Sequence, residues 1–88
     1  MADKHQVLYC FTGNDVMQFE EDQRKIYFLA ITEGLQTGGA EWVTKCVYRW
    51  QGVQIIEVIE KYFRDHPERW DEAAPVLVKD ALREACSQ

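Results

Sequence analysis

An all-α fold, a small bundle of about four helices, is predicted for these 88 residues by three observations. Residues 54–65 repeat their apolar side chains with the helical period. Residues 71–86 do so again after a corner containing proline. The apolar run 26–31 is followed by glycines, which end helices.

The elements follow in chain order. Residues 1–6 are polar, and Val7, Leu8, Tyr9, Cys10 and Phe11 then form a short apolar run. That run suits either a strand-like arm or a helical turn docked on a core, so residues 1–12 are read as an N-terminal arm. Thr12 or Asn14 is a good N-cap, and Asp15 lies favourably in the first turn of a helix whose apolar side starts with Val16, Met17 and Phe19. The charged residues 20–25 either continue this helix or contain a short break. Residues 26–31 are apolar all round, which predicts the most buried helix of the domain, its end signalled by Gly34 and by Gly38 and Gly39. Residues 37–51 read as the longest irregular segment, and a loop of that size in a small domain is often functional.

The helix over 54–65 is the clearest. Ile55, Ile56, Ile59 and Phe63 form its stripe, widened by Val58 and Tyr62, while Glu57, Glu60, Lys61 and Arg64 take the other face. Pro67 pushes His66 out of the α region, so this helix should end near Asp65. The last helix carries Leu77, Val78, Ala81, Leu82 and Ala85 on one face. Pro75 must lie in its first turn, which predicts a start near Asp71. Ile31, Ile59, Phe63 and Leu82, each central to a stripe, should be nearly fully buried.

Length allows one domain, residues 1–88, burying roughly 60–65% of its unfolded surface. Hydrophobic residues at 47% and aromatics at 12% are those of a folded chain. Fifteen acidic against ten basic side chains leave a net charge of −5. That balance repels nucleic acid and anionic membrane at long range and favours a basic partner surface. No apolar stretch is as long as a membrane span, and the opening residues lack the basic-then-apolar pattern of a signal peptide. The chain is therefore either cytoplasmic or a mature form whose signal peptide has been removed. Three cysteines, Cys10, Cys46 and Cys86, give one disulfide and one thiol in an oxidising compartment, or three buried thiols in the cytosol. Closing the 10–46 or the 46–86 loop is worth roughly 4 kcal/mol, so energetics do not choose a pairing.

Catalytic groups are sparse. His5 lies in the arm, and His66, at the end of a helix, suits its negative pole better than general-base work. No spacing of His, Cys or Glu suggests a metal site, Thr37-Gly38-Gly39 is a helix stop rather than a phosphate loop, and nothing calls for a cofactor. The reading is a non-enzyme. Tryptophans beside arginines are more suggestive, because these residues dominate interface hot spots. Trp42, Arg49 and Trp50 in the 37–51 segment form one candidate partner-binding group. His66, Glu68, Arg69 and Trp70 at the corner form the other. Trp42 and Trp50 are equally suited to plugging a helix junction, whereas Arg69 and Trp70 lie in a short helix connection with limited core to cover, which favours an interface role there.

The order of these parts resembles the Tai-type immunity proteins. The resemblance runs from Thr12 onward through Thr12-Gly13-Asn14-Asp15-Val16, the segment from Tyr27 to Gly34, Lys61-Tyr62-Phe63, His66-Pro67-Glu68 and Ala81-Leu82-Arg83-Glu84-Ala85. That small family, HdeA-like in fold, neutralises peptidoglycan-cleaving amidase effectors of bacterial type VI secretion. The chain departs from it at Phe19 and Ile26, near which the family carries two early cysteines, and at Tyr48, where proline is common. Cys10 has no counterpart, whereas Cys46 and Cys86 sit near the family's third and fourth cysteines. The resemblance implies a periplasmic protein, often a dimer, that occludes the active site of a cell-wall amidase, with one disulfide that includes Cys46. The alternatives are an HdeA-like periplasmic acid-stress chaperone and a cytosolic interaction module.

Overall fold

The computed structural model describes residues 11–87, and among these the fold is all-helical. In order come α1 (Gly13–Met17), α2 (Glu21–Thr37), α3 (Glu41–Val47), α4 (Gly52–Asp65), a 3-10 turn (Pro67–Arg69) and α5 (Ala74–Cys86). The start of α1 and the end of α4 fall where expected. Thr12 caps α1 through a reciprocal box: its hydroxyl accepts from the Asp15 amide at 3.3 Å, and its own amide donates to the Asp15 carboxylate at 3.0 Å. The charged stretch contains a break, so α2 begins afresh at Glu21. Helix α4 stops at Asp65, one residue short of His66, as Pro67 requires.

Three expectations need correction. Residues 37–51 are not irregular, because Glu41–Val47 form α3 after a turn in which Gly39 takes φ +98°. Helix α5 starts at Ala74 rather than near Asp71, although Pro75 does lie in its first turn. Residues 72–74 are instead engaged by the chain's other end. The Gly13 amide donates to the Glu72 carbonyl, the Ala74 amide to Phe11, and Thr12 bridges Ala73 in antiparallel fashion. Those bonds satisfy the backbone that an earlier helix start would have used. The apolar run in α2 is not buried all round either: Ile26 is 68% exposed and Leu29 36%. So few helices can cover one stripe of α2, that of Tyr27, Phe28 and Ile31, but not its whole girth.

The core lies around α5, which packs on each of the other four helices. Phe28, Ile59, Phe63, Leu77 and Leu82 are fully buried, and Ile31 is 4% exposed, so the four residues expected at the centres of their stripes are there. Phe11, Phe19 and Tyr27 close one end as an edge-to-face trio. Thr32, buried in α2, returns its hydroxyl proton to the Phe28 carbonyl at 2.9 Å. Arg24 binds Glu60 at 3.0 Å and so ties α2 to α4. Cys46 of α3 and Cys86 of α5 form a disulfide with Cα atoms 5.7 Å apart, which selects one of the two pairings open to Cys46. Cys10 and His5 lie outside the described residues. No helix among those residues is long and apolar enough to cross a membrane.

Candidate protein-binding site

The two candidate groups have different surroundings. At the corner, Arg69 uses four of its five N–H donors within the chain. Its guanidinium donates twice to Glu72 at 2.8 Å, to Asp80 at 2.8 Å and to the Tyr62 hydroxyl at 2.6 Å. Four hydrogen bonds from a rigid fork join the end of α4, the 3-10 turn and α5. Glu72 and Asp80, through these bonds, hold the Arg69 pKa above its ordinary value, and Arg69 in turn lowers that of Glu72. Trp70 sends its indole N–H to the Phe63 carbonyl at 2.8 Å. His66 lies against the Tyr62 ring at 4.2 Å and contacts Glu68 at 3.1 Å. Glu68 titrates below its ordinary value, first through a hydrogen bond to its own backbone and then through His66. These residues brace the junction of α4 and α5. A partner reaching Arg69 would have to displace contacts already made.

The other group is divided. Trp42 on α3 and Trp50 just beyond it line a groove of about 660 Å³ with Lys45, Arg83 and the Cys46–Cys86 disulfide. Both indoles are half-buried and packed on the core edge. The Arg83 guanidinium lies 5.1 Å from the Trp42 ring centroid, a cation–π contact that holds its position. Arg49 does not line the groove. It lies over the ring of Tyr48, 5.2 Å from its centroid, and both residues are exposed at the turn after α3. Among the described residues no carboxylate forms an ion pair with Lys45, Arg49 or Arg83. A smaller groove of about 250 Å³ lies between α4 and α5, beside Tyr62, His66 and Glu84.

Lys45 and Arg83 were absent from the sequence-based candidates. The signal lay in helical spacing taken together with the disulfide. Trp42 is one turn before Cys46 on α3, and Arg83 one turn before Cys86 on α5, so joining the sulfurs brings the indole and the guanidinium together. Until the pairing of Cys46 was known, nothing connected them. Among the described residues no group of three or more His, Cys, Asp or Glu is placed to hold a metal ion. Comparisons with protein-family models, curated proteins and solved structures found no match.

Proposed function

We propose that this chain is a protein-binding inhibitor that occludes the active site of a secreted peptidoglycan amidase. The observation that carries the reading is the aromatic and cationic surface running from Trp42 to Trp50, with Tyr48 and Arg49 standing out from it. Large rings with limited torsional freedom, fixed at one edge by the core, are what hot-spot anchors require. Occlusion needs shape and charge complementarity and no chemistry from the inhibitor. The amidase as target comes from the resemblance to the Tai-type proteins. The Cys46–Cys86 disulfide supports an oxidising compartment such as the periplasm. Exposed Ile26, Leu29 and Val53 supply an apolar surface that a dimer would bury.

The test is titration calorimetry against a secreted peptidoglycan amidase, taken from the neighbouring genes where one is encoded there, with peptidoglycan hydrolysis measured in parallel. Arg49→Ala combined with Trp50→Ala should weaken binding by at least about 2 kcal/mol, the hot-spot scale, with the helical circular dichroism unchanged. Absence of binding and inhibition by the unaltered chain overturns the proposal.

A second reading, the acid-stress chaperone, is favoured by one observation. Lys61 lowers the Asp65 pKa, and Arg69 that of Glu72, so protonation loosens contacts around the α4–α5 corner. A chaperone of this kind would dissociate or expose apolar surface between about pH 2 and 4 and bind unfolded clients there. An inhibitor has no such requirement.

A further inference from the structure

The groove beside the disulfide combines features that together select a ligand. Its walls are apolar and aromatic, from Trp42, Trp50 and the disulfide, and its charged members, Lys45 and Arg83, are both cations. Elsewhere on this acidic chain Arg24, Lys25, Lys61 and Arg69 are each matched by a carboxylate, whereas among the described residues Arg64 and Lys79 stand singly with no aromatic groove beside them. At the groove Lys45 and Arg83 form no ion pair among the described residues and lie together beside the indoles, and the nearby Arg49 forms none either. Arg83 is also held by stacking on Trp42, so less side-chain freedom is lost when its N–H groups meet an acceptor. Both cations belong to the last turns of their helices, where they complement the dipole, and that role leaves their hydrogen-bonding groups open to a ligand.

We propose that this groove binds an acidic segment of a partner protein, seating a large apolar side chain between Trp42 and Trp50 and a neighbouring carboxylate on Lys45 and Arg83. The assignment rests on the reading of the chain as a protein-binding domain, and it names the chemistry of the segment bound. Carboxylate pairing with arginine is directional and bidentate, so it fixes the register of the segment, while the indoles supply buried area. A nucleic acid strand is the other ligand that stacks on aromatic rings beside cations. The net charge of −5 opposes a polyanion at long range, whereas a short acidic segment meets only the local cations.

The test uses the full oxidised chain and tryptophan fluorescence. The probe is a short amidated peptide alternating glutamate with leucine and phenylalanine, compared with the same peptide carrying glutamine in place of glutamate. The acidic peptide should bind at least about tenfold more tightly, and raising the salt concentration should erode that preference. Lys45→Ala with Arg83→Ala alters two exposed side chains and leaves the core intact. It should bring the two peptides to equal affinity while circular dichroism stays unchanged. Equal affinity for both peptides on the unaltered chain, or no binding of either, overturns the assignment. So does an oligothymidylate that binds more tightly than the acidic peptide and is weakened by the same double variant. Amidase inhibition measured alongside separates the two proposals. A chain that prefers the acidic peptide without inhibiting removes the amidase reading and keeps the groove. Inhibition without that preference removes the groove assignment alone.

Discussion

Gly13→Ala opposes two rules of opposite sign, and the structure decides between them. In the first turn of a helix, replacing glycine by alanine restricts the unfolded chain and ordinarily stabilises by about 0.4–1 kcal/mol. At Gly13, a β-carbon would lie 2.9 Å from the Leu77 methyl Cδ1, 2.9 Å from the Trp70 Cα and 3.2 Å from the Trp70 carbonyl oxygen. Carbon atoms pack best at about 3.5–4.0 Å, so something must retreat by more than half an ångström. Leu77 is fully buried, and Trp70 is a poor candidate to move. Its carbonyl accepts the Asn14 amide at 2.9 Å and its indole is bonded to Phe63. Overpacking of this kind costs about 1–3 kcal/mol, which outweighs the entropic gain. We expect Gly13→Ala to lower the midpoint of thermal unfolding by roughly 5–10 °C. Gly52→Ala is the control, because a β-carbon there meets only the Leu29 methyls at 3.9 Å, an ordinary contact. It should gain a few tenths of a kcal/mol. Thermal unfolding of the oxidised protein, followed by helical circular dichroism, measures both. A Gly13→Ala chain as stable as the parent would refute the close approach of α1 to the corner.

Ile59→Ala removes three carbons from a fully buried site on α4, about 2.4 kcal/mol of transfer energy plus a cavity term, so urea denaturation should show a loss of about 3–4 kcal/mol. A loss under about 1 kcal/mol would mean that α4 does not face the core as described. Thiol titration in denaturant without reductant should find one free thiol per chain and peptide mapping should join Cys46 to Cys86, whereas three free thiols would exclude the bridge. Reducing that bridge releases a loop of 40 residues' separation and should cost about 4 kcal/mol by chain entropy. Asp65, Glu68 and Glu72 titrate below their ordinary values of 3.8 and 4.5, so their stabilisation is complete above about pH 5 and is lost as pH falls through the lowered values. The urea midpoint should therefore decline on acidification, less steeply in Glu72→Gln, and a parallel decline in that variant would detach Glu72 from the effect.

Helix α4 was legible because fourteen residues sustain one clean stripe and proline marks the end. The burial of Ile31, Ile59, Phe63 and Leu82 followed from the same periodicity, and side-chain chemistry narrowed the first cap to Thr12 or Asn14, of which Thr12 is the one used. Helix α3 was not legible. Seven residues that include Val43, Thr44 and Val47 have weak intrinsic helicity, and packing together with the disulfide holds the turn in place. The start of α5 was misplaced because Asp71 looks like a cap, and the pairing of residues 11–13 with the corner is non-local information. The site was half visible. Trp42 and Trp50 stood out by composition, but Arg83 joins them only through a contact between distant parts of the chain. The corner shows the converse: Arg69 and Trp70 looked available in sequence and are engaged by Tyr62, Glu72, Asp80 and Phe63.

Because α5 is the helix on which α1, α2, α3 and α4 all pack, the order of synthesis constrains how the chain folds. The ribosome delivers four helices before the one that closes on them. Until Leu77, Val78, Ala81 and Leu82 emerge, the apolar stripes of α2 and α4 lack the surface that completes their burial, and Cys46 has no Cys86 to join. Folding is therefore completed only once α5 is available, and the Cys46–Cys86 bridge then ties its last turn to α3. A message truncated within α5 would yield a chain that still contains most of the helical sequence yet presents its interior to chaperones and proteases.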